Sequence, residues 1–360
     1  VAGPYRERGP REMAAACARA PGVAYLDITG DWCFVADLVE KHHDEARRNG
    51  SALISMCGPK ECCVTECGAR LAAERLRASG HETKYLEVLT RGEREAMSGG
   101  TMISGVKLKQ EESKARLEDP WILMPAGSSD GRSSLGDAKW TTDAHPVHQD
   151  ADYGDVWLTA SFLGPCNTRI WRRAAAVLSD ARDSGAAGAA VPYASGPGVI
   201  GACERMYHND RGAAQKVKSF IDTPPETTLS YAEKGYLPKP GAGPSEADSR
   251  KVAYIDFIVA RASPTGAAAH CRIRAKANIG HGIACGYPGS AYTLLACAMA
   301  TLRSGGVPSA RCGAGLSPAV TLEGTDLLDR LRRIGYELEV HDGLPTASQM
   351  KQAIDELAKL

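Results

Sequence analysis

The first eighty positions switch between two periods. Val23-Ala-Tyr-Leu-Asp-Ile28 is a short, mostly apolar run that suits a buried strand, and Thr29-Gly30-Asp31 supplies a turn and an N-cap behind it. From Trp32 to Asn49, Phe34, Val35, Leu38, Val39 and Ala46 share one helical face, with Gly50 as the stop. Ser51 to Cys57 predicts a second strand. Thr65 to Ser79 predicts a second helix, with Leu71, Ala72 and Leu76 inward and Gly80 behind it. Strand, helix, strand, helix with short joints is the signature of a parallel, doubly wound sheet.

Beyond residue 81 the pattern changes. Thr83 to Thr90 predicts a strand, and Gly99 to Arg116 a helix opened by Ser98-Gly99-Gly100-Thr101. Residues 125–155, rich in Gly, Ser and Asp, predict a loop. Asn167 to Asp183 predicts a helix, with Ile170, Trp171, Ala174, Val177, Leu178 and Ala181 at helical spacing. A Pro/Gly-rich crossing, Gly235 to Ser249, leads into Lys251–Ala262 and His270–Ala277, which read as an antiparallel hairpin. Ser290 to Leu302 is the longest apolar run; it is shorter than the roughly 18 residues of a membrane span and reads as a core helix. Leu327, Leu328, Leu331 and Ile334 form a stripe ending at Gly335, Tyr336–Val340 alternates as a strand, and Thr346-x-x-Gln349 is a capping box for a last helix. The fold class these elements predict is α/β.

Length and charge narrow the classes. At 360 residues the chain is long enough for two domains with sizeable cores. With 43 Lys+Arg against 43 Asp+Glu it lacks the basic field that bulk nucleic-acid binding needs, so no nucleic-acid partner is expected. A hydrophobic share of 43% is too high for a disordered chain. Twelve cysteines fall well below the roughly 8–10% of a disulfide scaffold. With no signal peptide, reduced thiols in an intracellular compartment are the expectation. The chain opens on Val1 and runs at once into Gly3-Pro4-Tyr5, a start that reads as the middle of a gene product.

Several residue groups have the look of chemistry. Gly196-Pro-Gly198-Val-Ile-Gly201, with Asp222 about 20 residues on, matches a dinucleotide fingerprint. The stretch before it, Val191-Pro-Tyr-Ala-Ser195, contains a proline and makes a poor central strand, so an ordinary Gly-rich loop is the better reading. Cys57, Cys62, Cys63 and Cys67 are enough thiols for a metal, but adjacent cysteines diverge and no second Cys-x2-Cys knuckle follows. No metal is expected there. His145 and His148 sit in a polar loop and read as solvated, while His42-His43 point to different sides of one helix and read as structural. No Gly-x-Ser-x-Gly or His-Glu-x-x-His segment is present.

In a parallel α/β sheet, ligands sit outside the carboxyl ends of the strands. That rule singles out Asp27, Thr29 and Gly30 behind the first strand, Cys57 and Gly58 behind the second, and Gly3-Pro4-Tyr5. The competing reading is that Asp27 and Thr29 only cap the next helix. Local pattern alone divides evenly between the two.

Gly3-Pro4-Tyr5, Ala16-Cys17-Ala18, Tyr25-Leu-Asp27-Ile-Thr29-Gly30-Asp31 and His42-His43 with Ala46 resemble the saccharopine dehydrogenase-like oxidoreductases. The closest part of that family is the group that includes the trans-acting enoyl reductases. Cys57-Gly58, Ser98-Gly99-Gly100-Thr101, Asn167-Thr168-Arg169 with Arg172-Arg173, Leu237-Pro-Lys-Pro-Gly-Ala-Gly-Pro-Ser245, Tyr292-Thr293 and Leu327–Gly335 continue the likeness in order. The resemblance implies a partial Rossmann-type parallel sheet, its N-terminal half missing, with a second α+β domain. On that plan residues 1–80 are the C-terminal half of an NAD(P)-binding domain, 81–300 the substrate or dimerisation domain, and 301–360 a return to the first. It implies NADP or NAD as cofactor, hydride transfer to a small-molecule or acyl substrate by enoyl or imine reduction, and Gly3, Pro4, Tyr5, Asp27, Thr29, Gly30, Cys57 and Gly58 on the nicotinamide side. It also implies a cytoplasmic or peripheral-membrane protein, with lipid droplets among the surfaces.

The departures concern the cofactor cleft. The family's phosphate loop lies about 90 residues or more before the Gly-Pro-Tyr turn, and this chain does not contain it. Where the family has Phe-Asp-Ser-x-Pro-Ser-Asp, this chain has Pro59-Lys60-Glu61-Cys62-Cys63-Val64-Thr65; Cys285-Gly-Tyr-Pro-Gly289 replaces Gly-Asp-Pro-Gly-Tyr. These changes keep a rival open, a non-catalytic relative acting as a protein- or lipid-surface interaction module. No catalytic residue is assigned; Tyr5 and Cys57 are candidates by location only.

Overall fold

Two sheets share the strands of this chain, one wholly parallel and one mixed. The structure is a computed structural model that describes residues 5–6, 9–93, 97–124, 135–136, 138–183, 199–239, 241–249, 251–276, 286–307 and 311–359. The chain begins α1 (Pro10–Arg19), β1 (Ala24–Leu26), α2 (Trp32–Arg48), β2 (Ala52–Ile54), α3 (Cys63–Ala78) and β3 (Tyr85–Glu93). It continues α4 (Gly99–Glu111), α5 (Lys114–Glu118), β4 (His148–Gln149), β5 (Trp157–Ala160), α6 (Gly164–Asp183), β6 (Gly201–His208), α7 (Arg211–Ile221), α8 (Pro225–Glu233) and α9 (Glu246–Ser249). It ends β7 (Ala253–Arg261), β8 (Ala268–Lys276), α10 (Gly286–Arg303), β9 (Gly313–Leu316), α11 (Pro318–Thr321), α12 (Leu327–Ile334), β10 (Tyr336–Asp342) and α13 (Ala347–Ala358).

The smaller sheet is ordered β1-β2-β9 and is parallel throughout, as the opening pattern predicts. Its third strand arrives from far along the chain and carries two glycines. A Cβ on Gly315 would stand 2.4 Å from Val39 Cγ2, and one on Gly313 would stand 2.6 Å from the His43 ring. Both glycines also hold positive φ, so only bare backbone lets α2 lie this close to β9. Gly-Ala-Gly-Leu carries no strand signal, which is why the hydrophobic pattern leaves β9 unannounced.

The larger sheet runs β10-β8-β7-β3-β6-β5-β4, with β3 and β6 parallel and the other neighbours antiparallel. The predicted hairpin is β7 and β8; Ala277 at its end lies outside the described residues. All of β7 is buried, because α3 covers one face of the sheet and α13 the other. Gly68 on α3 sets that approach: a Cβ there would come within 2.7 Å of Ile273 Cδ1. α6 faces both sheets. Arg173 donates to Ala314 O at 2.7 Å and Gly315 O at 2.9 Å on β9, and Arg172 donates to Ala202 O at 2.8 Å on β6. One hydrophobic core therefore contains Leu53 and Ala314 of the small sheet together with Val88, Ile258 and Ile273 of the large one.

Some predicted elements move. The helix expected over Gly99–Arg116 divides, because the Ser113 hydroxyl accepts the Arg116 N–H and starts α5. The segment predicted as a loop, 125–155, contains β4 and two 3₁₀ turns in its described part; residues 125–134 lie outside it. β6 was not anticipated, since Glu204 and Arg205 occupy positions where the pattern wants apolar side chains. Both are buried against partners, Arg205 on Glu87 and Glu204 on Ser161 and Asn167. The capping box at Thr346 and Gln349 forms as predicted. Among the described residues, no helix is long and apolar enough to cross a membrane.

Candidate functional site

At the carboxyl ends of β1 and β2 the chain needs partners for backbone groups the ladder leaves open, and Asp27 supplies them. Its Oδ1 accepts the N–H groups of Thr29 and Met56, each at 3.1 Å, and its Oδ2 accepts the Ser55 hydroxyl at 3.3 Å. The Cys57 N–H donates to the Asp27 carbonyl at 2.8 Å. The Tyr5 hydroxyl accepts the Ile28 N–H at 3.1 Å. Tyr5, Asp27 and Cys57 are thus gathered at one point, and all three are buried. Burial pushes the Asp27 carboxyl up to about 6 against the pull of its two N–H donors, and burial next to Asp27 raises the Tyr5 phenol. Thr29 Oγ1 accepts the Asp31 N–H, and Asp31 caps α2 through the Phe34 N–H. Gly30 is exposed, with no atom within 4 Å of where a Cβ would stand. Gly3 and Pro4 lie outside the described residues.

Behind β2 the chain forms a strap from Met56 to Cys62. Both of these residues hold positive φ, 61° and 81°, and Cys57 pairs with Cys62 across the strap. Non-glycine residues with positive φ mark strain that packing must sustain. At Gly58 a Cβ would meet Glu61 Oε2 at 2.3 Å. The adjacent thiols diverge as expected: Cys62 Sγ faces Glu66 Oε2 at 3.7 Å, while Cys63 Sγ lies 3.6 Å from Cys297 Sγ on α10. Burial raises Cys57, and donation to Cys297 raises Cys63; receiving both contacts draws Cys297 down. Among the described residues, no three His, Cys, Asp or Glu side chains are arranged to hold one ion.

The strap carries Lys60 and Glu61 into the wall of a cavity of about 470 Å³. Leu163, Met206, Val217, Phe220 and Ile221 make much of the lining apolar, and Phe162 faces Phe220 with ring centroids 6.4 Å apart. Lys60 Nζ lies 5.0 Å from the centre of the Tyr254 ring. Thr90 and Ser161 are polar points in the lining, and Lys216 stands at the exposed margin. Tyr287 closes one side: its hydroxyl accepts the Ser98 N–H at 2.6 Å and lies 2.8 Å from Thr101 Oγ1. The Gly99 N–H donates to Ala242 O, so two segments of the family likeness meet at this wall, beside Tyr287 from a segment that departs from it.

Below the cavity lies Glu204. Ser161 Oγ is 2.5 Å from its Oε1, and Asn167 Nδ2 donates to its Oε2 at 2.7 Å and to Lys60 O at 2.8 Å. Burial pushes the Glu204 carboxyl up to about 7, against its hydrogen bonds to Ser161 and Asn167. Sequence reasoning singles out neither Ser161 nor Glu204 for chemistry, and meets Lys60 only as a departure from the family's cleft motif. Asn167, Ser98 and Thr101 carried a signal through the family likeness alone; Glu204 carried none.

The remaining sequence candidates have structural partners. His43 Nδ1 accepts the Ala314 N–H at 3.1 Å, and burial next to Arg173 holds it down at about 4. His148 Nε2 lies 3.1 Å from Arg205 Nη1, and His145 is buried rather than solvated as its polar loop suggests. In the Gly-x-Gly-x-x-Gly run, Gly201 begins β6, so a strand follows the glycines where a phosphate loop needs a helix. Gly196 and Gly198 lie outside the described residues.

No protein-family model matches the chain. Curated relatives do. Over 352 residues the chain is 27% identical to a Mycobacterium tuberculosis protein provisionally named a trans-acting enoyl reductase, covering 94% of this chain and 78% of that one. The corresponding protein of a second strain of that species gives the same values. A Mycobacterium ulcerans protein named trans-acting enoyl reductase is 26% identical over 263 residues, 68% of this chain and 58% of that one. The chain is similar to trans-acting enoyl reductases. The match to the first relative extends over both sheets, so the strand ends and the cavity fall within it.

Proposed function

We propose that this protein is a pyridine-nucleotide-dependent oxidoreductase that reduces an apolar acyl substrate. The observation that carries this reading is the apolar cavity whose wall is the strap behind β2. Small-molecule sites are mostly apolar clefts with a few placed polar groups, and a crevice at strand carboxyl ends is where α/β sheets bind ligands. The names of the relatives support enoyl reduction as the class of chemistry.

NADP or NAD is the proposed cofactor. The turn behind β1 offers it bare backbone at Gly30, and Gly58 lets the second turn fold tightly. Asp27, Thr29 and Tyr5 accept backbone N–H groups, and Asp27 the Ser55 hydroxyl as well, so their proposed role is to hold these turns from behind. Gly3, Pro4 and Cys57 complete the proposed nicotinamide side. When bound, the nicotinamide supplies the hydride. The protein's share is to orient an acyl chain along Leu163, Met206, Val217 and Ile221 and to keep water from its reacting end. The proposed division of labour places the cofactor on residues 1–80 with the return segment 301–360, and the substrate on 81–300.

The test is a fluorescence titration of NADPH and NADH, followed by nucleotide oxidation with trans-2-decenoyl-N-acetylcysteamine. Saturable binding and enoyl-dependent oxidation are expected. Binding of neither nucleotide by the full-length natural protein would defeat the reading and favour the interaction-module rival.

A further inference from the structure

An enoyl reduction needs a proton as well as a hydride, and the reductase reading above leaves its source unassigned. Under the cavity, hydrogen-bond geometry fixes where such a proton sits. Asn167 Nδ2 spends its two N–H groups on Glu204 Oε2 and Lys60 O, so a proton on Glu204 resides on Oε1. Oε1 faces Ser161 Oγ at 2.5 Å. Ser161 Oγ also accepts the Leu163 N–H at 3.2 Å. With Glu204 ionised, the Ser161 O–H donates to Oε1; a proton on Oε1 reverses that bond, and Ser161 Oγ, then accepting from both Leu163 N–H and the Glu204 acid, can turn its O–H toward the cavity. Ser161 lines the cavity.

We propose that Ser161 protonates the substrate at Cα and that Glu204 resupplies Ser161, a relay that rests on the reductase reading. Hydride addition at Cβ moves the π pair of the Cα=Cβ bond into an enolate. The enolate then forms a C–H bond at Cα as the Ser161 O–H breaks. Ser161 takes the Glu204 proton in the same exchange, leaving a saturated thioester, an oxidised nicotinamide and the Glu204 carboxylate. Solvent returns the proton to Glu204. Asn167 is a positioning residue, and through Lys60 O it ties the carboxyl to the strap behind β2.

The surroundings favour an acid poised near neutrality. Burial raises Glu204 to about 7, and Asp256 on β7 adds to the rise. Lys60 on the strap opposes it, while Cys166 on α6 faces the carboxyl as a raised, neutral thiol. Because the acid form is the active one, turnover falls as pH rises through about 7.

The experiment uses the full chain with NADPH and trans-2-decenoyl-N-acetylcysteamine in D₂O. The wild type is expected to show that alkaline decline and to place deuterium on one face of C2. Glu204→Gln keeps the hydrogen bonds of Asn167 and Ser161 but cannot pass a proton. It is expected to lose roughly 100-fold or more in kcat, and the pH decline with it. Ser161→Ala is expected to lose as much and to scramble the C2 stereochemistry. Infrared titration of the protein with ¹³C-labelled glutamate supplies a readout apart from activity: a carboxylic acid band lost near pH 7 and absent from Glu204→Gln. A Glu204 already ionised at pH 5 overturns the relay. Wild-type turnover that Ser161→Ala leaves unchanged also overturns it while sparing the reductase reading. Absence of turnover by the wild type defeats both.

Discussion

Burial pushes the carboxyls of Asp27, Glu66 and Glu204 upward, and of these the last lies beneath the cavity. Glu66 is the cleanest place to see what such burial does to stability. On α3 its Oε1 accepts the Ser317 hydroxyl at 2.8 Å and its Oε2 faces the Cys62 thiol, so it fastens the strap to the start of α11. Burial raises it to about 7 against those hydrogen bonds. The folded chain then holds this proton more tightly than the unfolded chain does. The contribution to stability is therefore full below the ordinary carboxyl range and is lost as pH rises through about 7. At about 1.36 kcal/mol per pH unit, the loss is on the order of 3 kcal/mol. Glu66→Gln keeps an acceptor for Ser317 and removes the titration. The wild-type urea midpoint is expected to fall between pH 5 and pH 8 by more than that of Glu66→Gln. Parallel pH dependences would show that the folded protein holds Glu66 ionised.

At the scale of elements, the approach of α3 to the large sheet depends on one missing side chain. Replacing Gly68 by Ala improves helix propensity by about 1 kcal/mol, yet the new methyl would meet Ile273 Cδ1 at 2.7 Å and Ile258 Cγ1 at 3.0 Å. Overpacking a well-filled core costs about 1–3 kcal/mol, so Gly68→Ala is expected to destabilise. Ile273→Val deletes the atom in the way. The double variant is expected to recover most of the loss, a coupling that denaturant unfolding of all four chains measures; additive effects would show that α3 shifts bodily instead.

The same elements show what was legible in the sequence. β1, α2, β2 and the β7–β8 hairpin announced themselves because each buries one face or both against apolar neighbours. β9 and β6 did not, for opposite reasons. β9 is half glycine because a helix leans on it, and β6 hides Glu204 and Arg205 among partners that lie far away in the chain. The strand-end rule brought Tyr5, Asp27 and Cys57 together. It could not reach Ser161, since the cavity is walled by segments that only the fold assembles.

For the whole molecule, the question is whether two sheets make one cooperative unit. Arg173 is the sharpest probe, because it stands on α6, which faces both sheets, and donates to backbone carbonyls of β9. It donates to Leu123 O at 2.9 Å as well as to Ala314 O and Gly315 O, and His43 Nδ1 lies 2.9 Å from its Nη2. Arg173→Met keeps much of the aliphatic stem but leaves those buried carbonyls without these donors. Each unsatisfied buried group costs about 1–3 kcal/mol, partly offset by no longer burying a charge. A net loss of roughly 2–4 kcal/mol is expected, read as a lower urea midpoint at constant slope. The place where that loss appears decides the architecture. α6 packs on both sheets and one hydrophobic core joins them, so weakening β9 should weaken β7 with it. Native-state hydrogen exchange in Arg173→Met is therefore expected to speed up together at Leu53 of β2 and at Ile258 of β7. Faster exchange at Leu53 alone would mean that the parallel sheet opens as a unit of its own, and a cavity walled by its strap would then open and close with it.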